Sequence, residues 1–496
     1  MAKETKIDKF RWMILLTVIV GTFLGRLDQT IVNLALPKMI NDFGITVTSA
    51  GWIATAYILA NAVFVPIWGK LGDTLGRKKI YILGFSIFIL GSVLAGFAWN
   101  LSSMLVFRVI QAIAASADYP TAMAILAVTF KQGKERAQAL GIWSSSFAAA
   151  AVFGPLIGGP LIDNFGWRSV FLINLPIGII GLIMAMVYIH ESVSEKQTKV
   201  FDWWGSITLG ASLSSLVLVL DKGLEWGWLS INSIICYAAV IIFTWIFIEI
   251  EHRSPEPIVD LKFFKNSIFV NTLFNNFIVF MGLMGSIFLI PIFAQTFLGY
   301  DATQTGLLFI PMAFMMVLAS PIGASLTGKV QSRYVIGAST LVAAIGLYLF
   351  HYLDPKSTVL DIVLPLSVMA FGLGFGMAQR TNVVASAVPE NEIGIASSIL
   401  ALARNIAGAF GIAVFGTILS NATSANVFKI SELSNFHGHS QIEYQQFIAL
   451  ITLKAQISAY GVVFVTAAII VFIGGIAAFF VKIKNEKTDV HVIIES

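Results

Sequence analysis

The chain has 496 residues, of which 57% are hydrophobic and 12% charged, with a formal net charge of +4. Soluble domains carry roughly 25% charged residues, so a water-facing globule is excluded. The Lys and Arg residues fall in short loops rather than on one face, which excludes a nucleic-acid surface, and the single cysteine, Cys236, excludes a disulfide framework and a cysteine metal site.

Apolar runs separated by polar breaks lie near residues 12–36, 49–69, 80–98, 103–128, 137–162, 169–190, 203–221 and 232–250. They continue near 267–297, 303–326, 334–351, 358–380, 395–420 and 456–481. A helix of about 20 residues crosses the hydrocarbon core of a bilayer, so these fourteen runs read as transmembrane spans. Lys3, Lys6, Lys9 and Arg11 precede the first run, which is too long for a cleaved leader and is expected to stay as a span. Alternate loops are basic: Lys70 with Arg77–Lys79, Lys131 with Lys134 and Arg136, Lys196 with Lys199, Arg253 with Lys262 and Lys265, and Lys329 with Arg333. With Lys482, Lys484 and Lys487 in the tail, the positive-inside rule puts both termini in the cytoplasm. The polar stretch 421–455 is expected as an extracellular loop between the last two spans.

Charges inside the runs need a reason, because one near the centre of a span costs about 2.5–3.5 kcal/mol on insertion scales. Arg26 and Asp28 lie in the first run, Arg108 and Asp118 in the fourth, Arg380 in the twelfth and Arg404 in the thirteenth. They read either as helix-to-helix salt bridges or as a proton and substrate site. An arginine cannot lose its proton but can hold a neighbouring carboxylate, so Asp28 with Arg108 is a plausible protonation couple. Asn275 and Asn276 in the ninth run, beside Asn271, can supply hydrogen bonds. Asp202 reads as an anchor or cap for the seventh span.

Two weak echoes suggest duplicated halves. Pro66–Arg77 after the second run resembles Pro321–Arg333 after the tenth, and Arg108–Asp118 echoes Gly372–Arg380, with offsets of 255 and 262 residues. Repeated halves around a midplane site are a common transporter design. Asp118 and Arg380 then occupy corresponding places and are expected to pair with each other, with other neighbours or with substrate.

Several motifs resemble the fourteen-span drug–proton antiporter branch of the major facilitator superfamily. Leu27-Asp28-Gln29-Thr30-Ile31-Val32-Asn33 through Pro37 is similar to its first-span signature, and Gly69-Lys70-Leu71-Gly72-Asp73 through Lys79 to the superfamily's loop motif. Arg108 with Gln111 resembles the fourth-span motif, and Gly154-Pro155-Leu156-Ile157-Gly158-Gly159 the fifth-span exporter signature. Gly166–Gly178 and Phe201–Gly205 match sequences typical of the branch. The resemblance implies an all-α fold of two six-helix bundles, residues 1–195 and 256–496, with an inserted helix pair at 196–255. It implies a proton-coupled exporter of small amphipathic solutes or drugs in the cytoplasmic membrane of a bacterium, working by alternating access. Asp28, Arg108 and Asp118 would couple protons; Arg26, Asp118, Asn275, Asn276 and Arg380 would bind substrate. Gly69, Asp73 and Arg77 would gate the cytoplasmic side, although solvated charges that only set topology read equally simply. Gly154, Pro155, Gly158 and Gly159 would carry antiport, or merely close packing.

Departures from the family shape the specificity. Arg26, Asp118 and Arg380 are unexpected in that branch, and arginines outnumber acids inside the spans. The alternative reading is therefore an exporter of an anionic or zwitterionic metabolite or lipid. An enzyme would need a catalytic constellation, whereas His190, His252, His351, His437 and His439 are scattered. No cofactor, metal or nucleic acid is expected; the partners are a small-molecule substrate, protons and membrane lipids, and a monomer is the expected state.

Overall fold

The computed structural model describes residues 2–130, 134–192, 202–255, 257, 259, 261–326, 329–388, 393–433 and 441–480. Its regular elements are helices: α1 (Ala2–Phe43), α2 (Val47–Leu75), α3 (Arg77–Gly96), α4 (Leu101–Ala115), α5 (Asp118–Thr129), α6 (Lys134–Phe165), α7 (Ser169–Leu172) and α8 (Asn174–Tyr188). They continue as α9 (Trp203–Trp226), α10 (Ile231–Arg253), α11 (Ser267–Phe297), α12 (Ala302–Leu307), α13 (Phe309–Ala324), α14 (Ser332–Leu349), α15 (Val359–Ser386), α16 (Ile393–Leu433) and α17 (Gln441–Phe479). Among the described residues thirteen helical segments are long and apolar enough to cross a membrane. The run expected at 137–162 is α6, whose 32 residues extend about 48 Å at 1.5 Å per residue. The protein is a multi-pass membrane protein.

Three expected spans are each broken in two, and one cause explains all three. α5, α8 and α13 each begin two residues before a proline, at Pro120, Pro176 and Pro311. A proline has no N–H for the carbonyl four residues earlier and its ring crowds that carbonyl, so the bonds to Ser116, Leu172 and Leu307 are lost. The chain tightens instead: Ala117 N bonds to Ala114 O at 3.1 Å, and Leu308 N to Thr305 O at 3.2 Å. Asp118 is consequently the first residue of a new helix. Pro37, Pro155, Pro160, Pro291 and Pro365 are absorbed inside continuous helices.

The expected loop 421–455 is mostly helical. α16 runs on to Leu433 and α17 begins at Gln441. Their 41 and 39 residues are about 60 Å long, twice the ~30 Å hydrocarbon core. Polar composition marks a segment as outside the bilayer, but with no proline to stop it the helix propagates.

The chain divides into two compact units: residues 1–259 with 290–310, and residues 260–289 with 311–496. The last eight residues of α11, 290–297, and all of α12 belong to the first unit. Gln295 Nε2 there donates to Leu34 O of α1 at 3.0 Å. The pair α9 and α10 also joins the first unit; the two pack on each other, and α9 packs on α2, with Gly210 facing Val63. Asp202 caps α9, accepting from Gly205 N at 2.7 Å. On α10 Ile234, Ile235, Ile241, Ile242 and Trp245 are exposed, as expected of a helix whose solvent is lipid.

Candidate functional site

In the first unit, four helices converge on Asp28. Arg108 and Gln111 stand one turn apart on the same face of α4. Arg108 Nη1 donates to Asp28 Oδ2 at 2.6 Å and to Gln111 Oε1 at 2.7 Å. Gln111 Nε2 and Asn174 Nδ2 both donate to Asp28 Oδ1, at 2.9 and 3.1 Å. Asn174 of α8 also donates to Ser92 Oγ of α3 at 2.7 Å, and Ser92 to Phe171 O at 2.9 Å. The Arg108 guanidinium lies 4.0 Å from the Tyr57 ring centroid. Asp28 and Arg108 are each 1% exposed, so the pair is sealed from solvent. Three donors, one of them a guanidinium, aim at one carboxylate.

Asp118 is held differently. Thr22 Oγ1 donates to Asp118 Oδ2 at 2.7 Å and accepts from Trp143 Nε1 at 2.9 Å. Asp118 Oδ1 is buried with no hydrogen-bond partner among the described residues. Gly21 leaves room beside it, since a Cβ there would run into Tyr81 and approach Asp118 Oδ1 at 3.3 Å. Thr22 and Asp28 are six residues apart on α1, about 9 Å along its axis. Arg26, between them, donates to Gln29 Oε1 at 3.2 Å.

In the second unit, Arg380 of α15 is 1% exposed. Its Nε donates to Asn275 Oδ1 at 2.9 Å and its Nη2 to Thr340 Oγ1 at 2.8 Å and Ser339 Oγ at 3.3 Å. Asn275 Nδ2 donates to Gly474 O at 3.1 Å, tying α11 to α17. Asn276 Oδ1 accepts from Arg404 Nε of α16 at 3.4 Å. Among the described residues the hydrogen-bond partners of Asp118 and Arg380 are thus neutral, each inside its own unit.

The surroundings of Gly69 and the side chain of Asp73 lie outside what the structure describes. Arg77 opens α3, and its N–H donates to Ser192 O at 3.0 Å. Glu191 accepts from the backbone N–H of Lys78 at 3.1 Å and of Lys79 at 3.3 Å, capping α3 from a position 112 residues away from Lys79. Gly76 between α2 and α3 has φ +111°, a conformation that favours glycine. Glu191, Asn174, Ser92, Thr22 and Trp143 were not singled out by the sequence; the signal for Asn174 was a polar residue inside an apolar run, and no local signal tied Glu191 to a motif 112 residues before it.

The glycine-rich face of α6 is a packing surface. A Cβ on Gly154 would collide with Thr30, and one on Gly158 would lie 2.8 Å from Ile31 Cγ2, both on α1. A Cβ on Gly159 would collide with Thr303 of α12, and one on Gly306 would lie 2.6 Å from Pro155 O. Beyond this face Asp163 accepts from Thr303 N at 2.8 Å, Thr303 Oγ1 at 2.6 Å and Ala302 N at 3.1 Å, and from Lys38 Nζ at 3.2 Å. Among the described residues no group of three or more His, Cys, Asp or Glu is placed to hold a metal ion.

Buried ionic and amide networks inside a helical membrane protein are a common mark of substrate and ion pathways. Over residues 18–412 the sequence matches the Major Facilitator Superfamily. It is 33% identical to multidrug transporter protein MdtP of Bacillus subtilis (strain 168) over 431 residues, 86% of this chain and 78% of that protein. It is 31% identical to multidrug resistance protein Stp of Mycobacterium tuberculosis over 416 residues, 83% of this chain and 77% of that one. A crystal structure of a bacterial homologue of the human lysosomal transporter Spinster shares the fold, with a TM-score of 0.66 at 17% identity, covering 94% of this chain and 97% of that one. The chain belongs to the major facilitator superfamily and is a membrane transporter of small-molecule substrates.

Proposed function

We propose that the protein is a proton-coupled antiporter that exports small amphipathic solutes or drugs across the bacterial cytoplasmic membrane, with both termini inside. The observation that carries this reading is the contrast between two buried acids. Asp28 accepts from three donors, on Arg108, Gln111 and Asn174, across both of its oxygens. Asp118 has one oxygen held by Thr22 and, among the described residues, no donor on the other. A proton on Asp118 Oδ1 breaks no hydrogen bond, so Asp118 is the proton carrier and the Asp28–Arg108 pair holds the helices around it. Each proton moving inward yields about 2.3 kcal/mol per 100 mV, which drives export without ATP. The names of the multidrug relatives support drugs as substrates.

Transport of carboxyfluorescein and of ethidium, dyes of opposite charge, in proteoliposomes under an imposed pH gradient tests the proposal. Wild-type protein transports at least one of the two dyes only with the gradient, and Asp118→Asn loses that gradient-driven transport while keeping counterflow of the same dye. Gradient-driven transport by Asp118→Asn at the wild-type rate, or no response of the wild type to the gradient, removes the assignment.

A further inference from the structure

We propose that Arg380, Asn276 and Arg404 form a receiving site in the second unit for an anionic oxygen group, a carboxylate, sulfonate or phosphate, on an amphipathic molecule. The inference deepens the transporter reading by naming the charge of a ligand, and rests on it.

The first observation is a buried cation whose acceptors among the described residues include no carboxylate. Every hydrogen bond of Arg380 goes to a neutral acceptor: Asn275 Oδ1, Thr340 Oγ1, Ser339 Oγ and Leu373 O. The long helices of this unit carry three acids, Asp361, Glu432 and Glu443, each within three residues of a helix end. A desolvated charge is retained against its cost where it has a partner or a task. Gly376, one turn before Arg380, keeps the space for the guanidinium, since a Cβ there would lie 2.6 Å from Arg380 Nη1.

The second observation is an orphaned donor. Asn276 is fully buried, its Oδ1 accepts from Arg404, and its Nδ2 has no hydrogen-bond partner among the described residues. An unsatisfied buried donor costs about 1–3 kcal/mol, a penalty that an incoming acceptor removes. Arg404 Nη2 reaches Thr381 Oγ1, the residue beside Arg380, at 3.4 Å. Adjacent residues of α11 and of α15 thereby bring two guanidinium groups and a bare amide N–H into one neighbourhood. Its apolar side is aromatic: the Arg404 guanidinium lies 5.1 Å from the Phe280 ring centroid, and the Phe277 and Phe410 rings are 5.7 Å apart. Such surroundings suit an aromatic acid better than a lipophilic cation, which two arginines repel.

Two xanthene dyes of similar size and opposite charge, carboxyfluorescein and rhodamine 123, test the site by fluorescence polarisation on the full chain in phosphatidylcholine nanodiscs. The expected result is saturable carboxyfluorescein binding at least tenfold tighter than that of rhodamine 123. Arg380→Gln and Arg404→Gln should each weaken carboxyfluorescein at least tenfold, and Arg380→Lys, which keeps the charge but not the fork, should weaken it less. Arg404 is only partly buried, so its variant keeps the test alive if Arg380→Gln does not fold. Nanodiscs containing phosphatidylglycerol separate the two sources of such a group. Dye binding that this lipid leaves unchanged points to a soluble ligand, and displacement that requires Arg380 points to a lipid headgroup at the same site. Equal affinity for the two dyes, carboxyfluorescein binding indifferent to both arginines, or no saturable binding below ~1 mM overturns the proposal. The readout is equilibrium binding, so a failure of gradient-driven transport sinks the antiporter reading without deciding this one.

Discussion

Replacing Asp28 by asparagine is the sharpest structural perturbation of the first unit. Arg108 Nη1, Gln111 Nε2 and Asn174 Nδ2 all donate to this side chain, at 2.6, 2.9 and 3.1 Å. An asparagine offers one acceptor oxygen, and its own amide N–H then faces a donor in either orientation. The side chains of Arg108 and Asp28 are 2% and 0% exposed, so water does not screen the loss. Removing one partner of such a pair costs about 3–5 kcal/mol, because the other charge is left buried alone. At about 2 °C per kcal/mol for a unit of this size, the unfolding midpoint should fall by about 6–10 °C. Arg108→Gln should cost a similar amount, but the double variant carries no charge and can pair amide to amide. Its loss should fall short of the sum by at least ~1 kcal/mol. Thermal unfolding in detergent, followed by tryptophan fluorescence, measures all three. Wild-type midpoints for the single variants, or strict additivity in the double, would refute the idea that this pair holds α1 to α4.

Gly154→Ala should destabilise by about 1–3 kcal/mol through its collision with Thr30, whereas Gly25→Ala, whose Cβ meets nothing within 4 Å, should be neutral or stabilising; the two midpoints compared on one instrument decide it. Glu191→Ala removes the cap shared by Lys78 and Lys79 and should cost about 1 kcal/mol, with increased labelling of a cysteine introduced at position 79. Asp163→Ala should cost a similar amount by leaving the Ala302 and Thr303 N–H groups of α12 without their acceptor, and Asp163→Asn should recover part of it, because the amide oxygen still accepts from Thr303 N; unchanged midpoints in both would show these bonds to be idle.

Spans were legible because length and hydropathy depend only on local composition. The three helix breaks were written in the sequence too, as prolines inside apolar runs, but Pro37 and Pro155 look much the same locally and are absorbed. What separates them is tertiary packing, which one-dimensional pattern does not carry. Residues 421–455 failed for a related reason: polarity reports the solvent of a segment, not its backbone. Of the candidate site, Asp28 with Arg108 was legible because two opposite charges in apolar runs have few ways to be satisfied. Thr22, Trp143 and Asn174 were not, since hydroxyls, indoles and amides are common in spans and acquire meaning only from the partner they reach. Arg380 was visible as a charge, but its neutral partners Asn275 and Thr340 required three helices to be placed.

Infrared difference spectroscopy of the reconstituted protein, following the carboxyl C=O stretch as pH is lowered, tests the proton carrier without needing a substrate. The wild type should show a protonating carboxyl that disappears in Asp118→Asn and persists in Asp28→Asn. A protonating carboxyl that survives in Asp118→Asn and vanishes in Asp28→Asn would contradict the assignment and move the proton to the Arg108 pair.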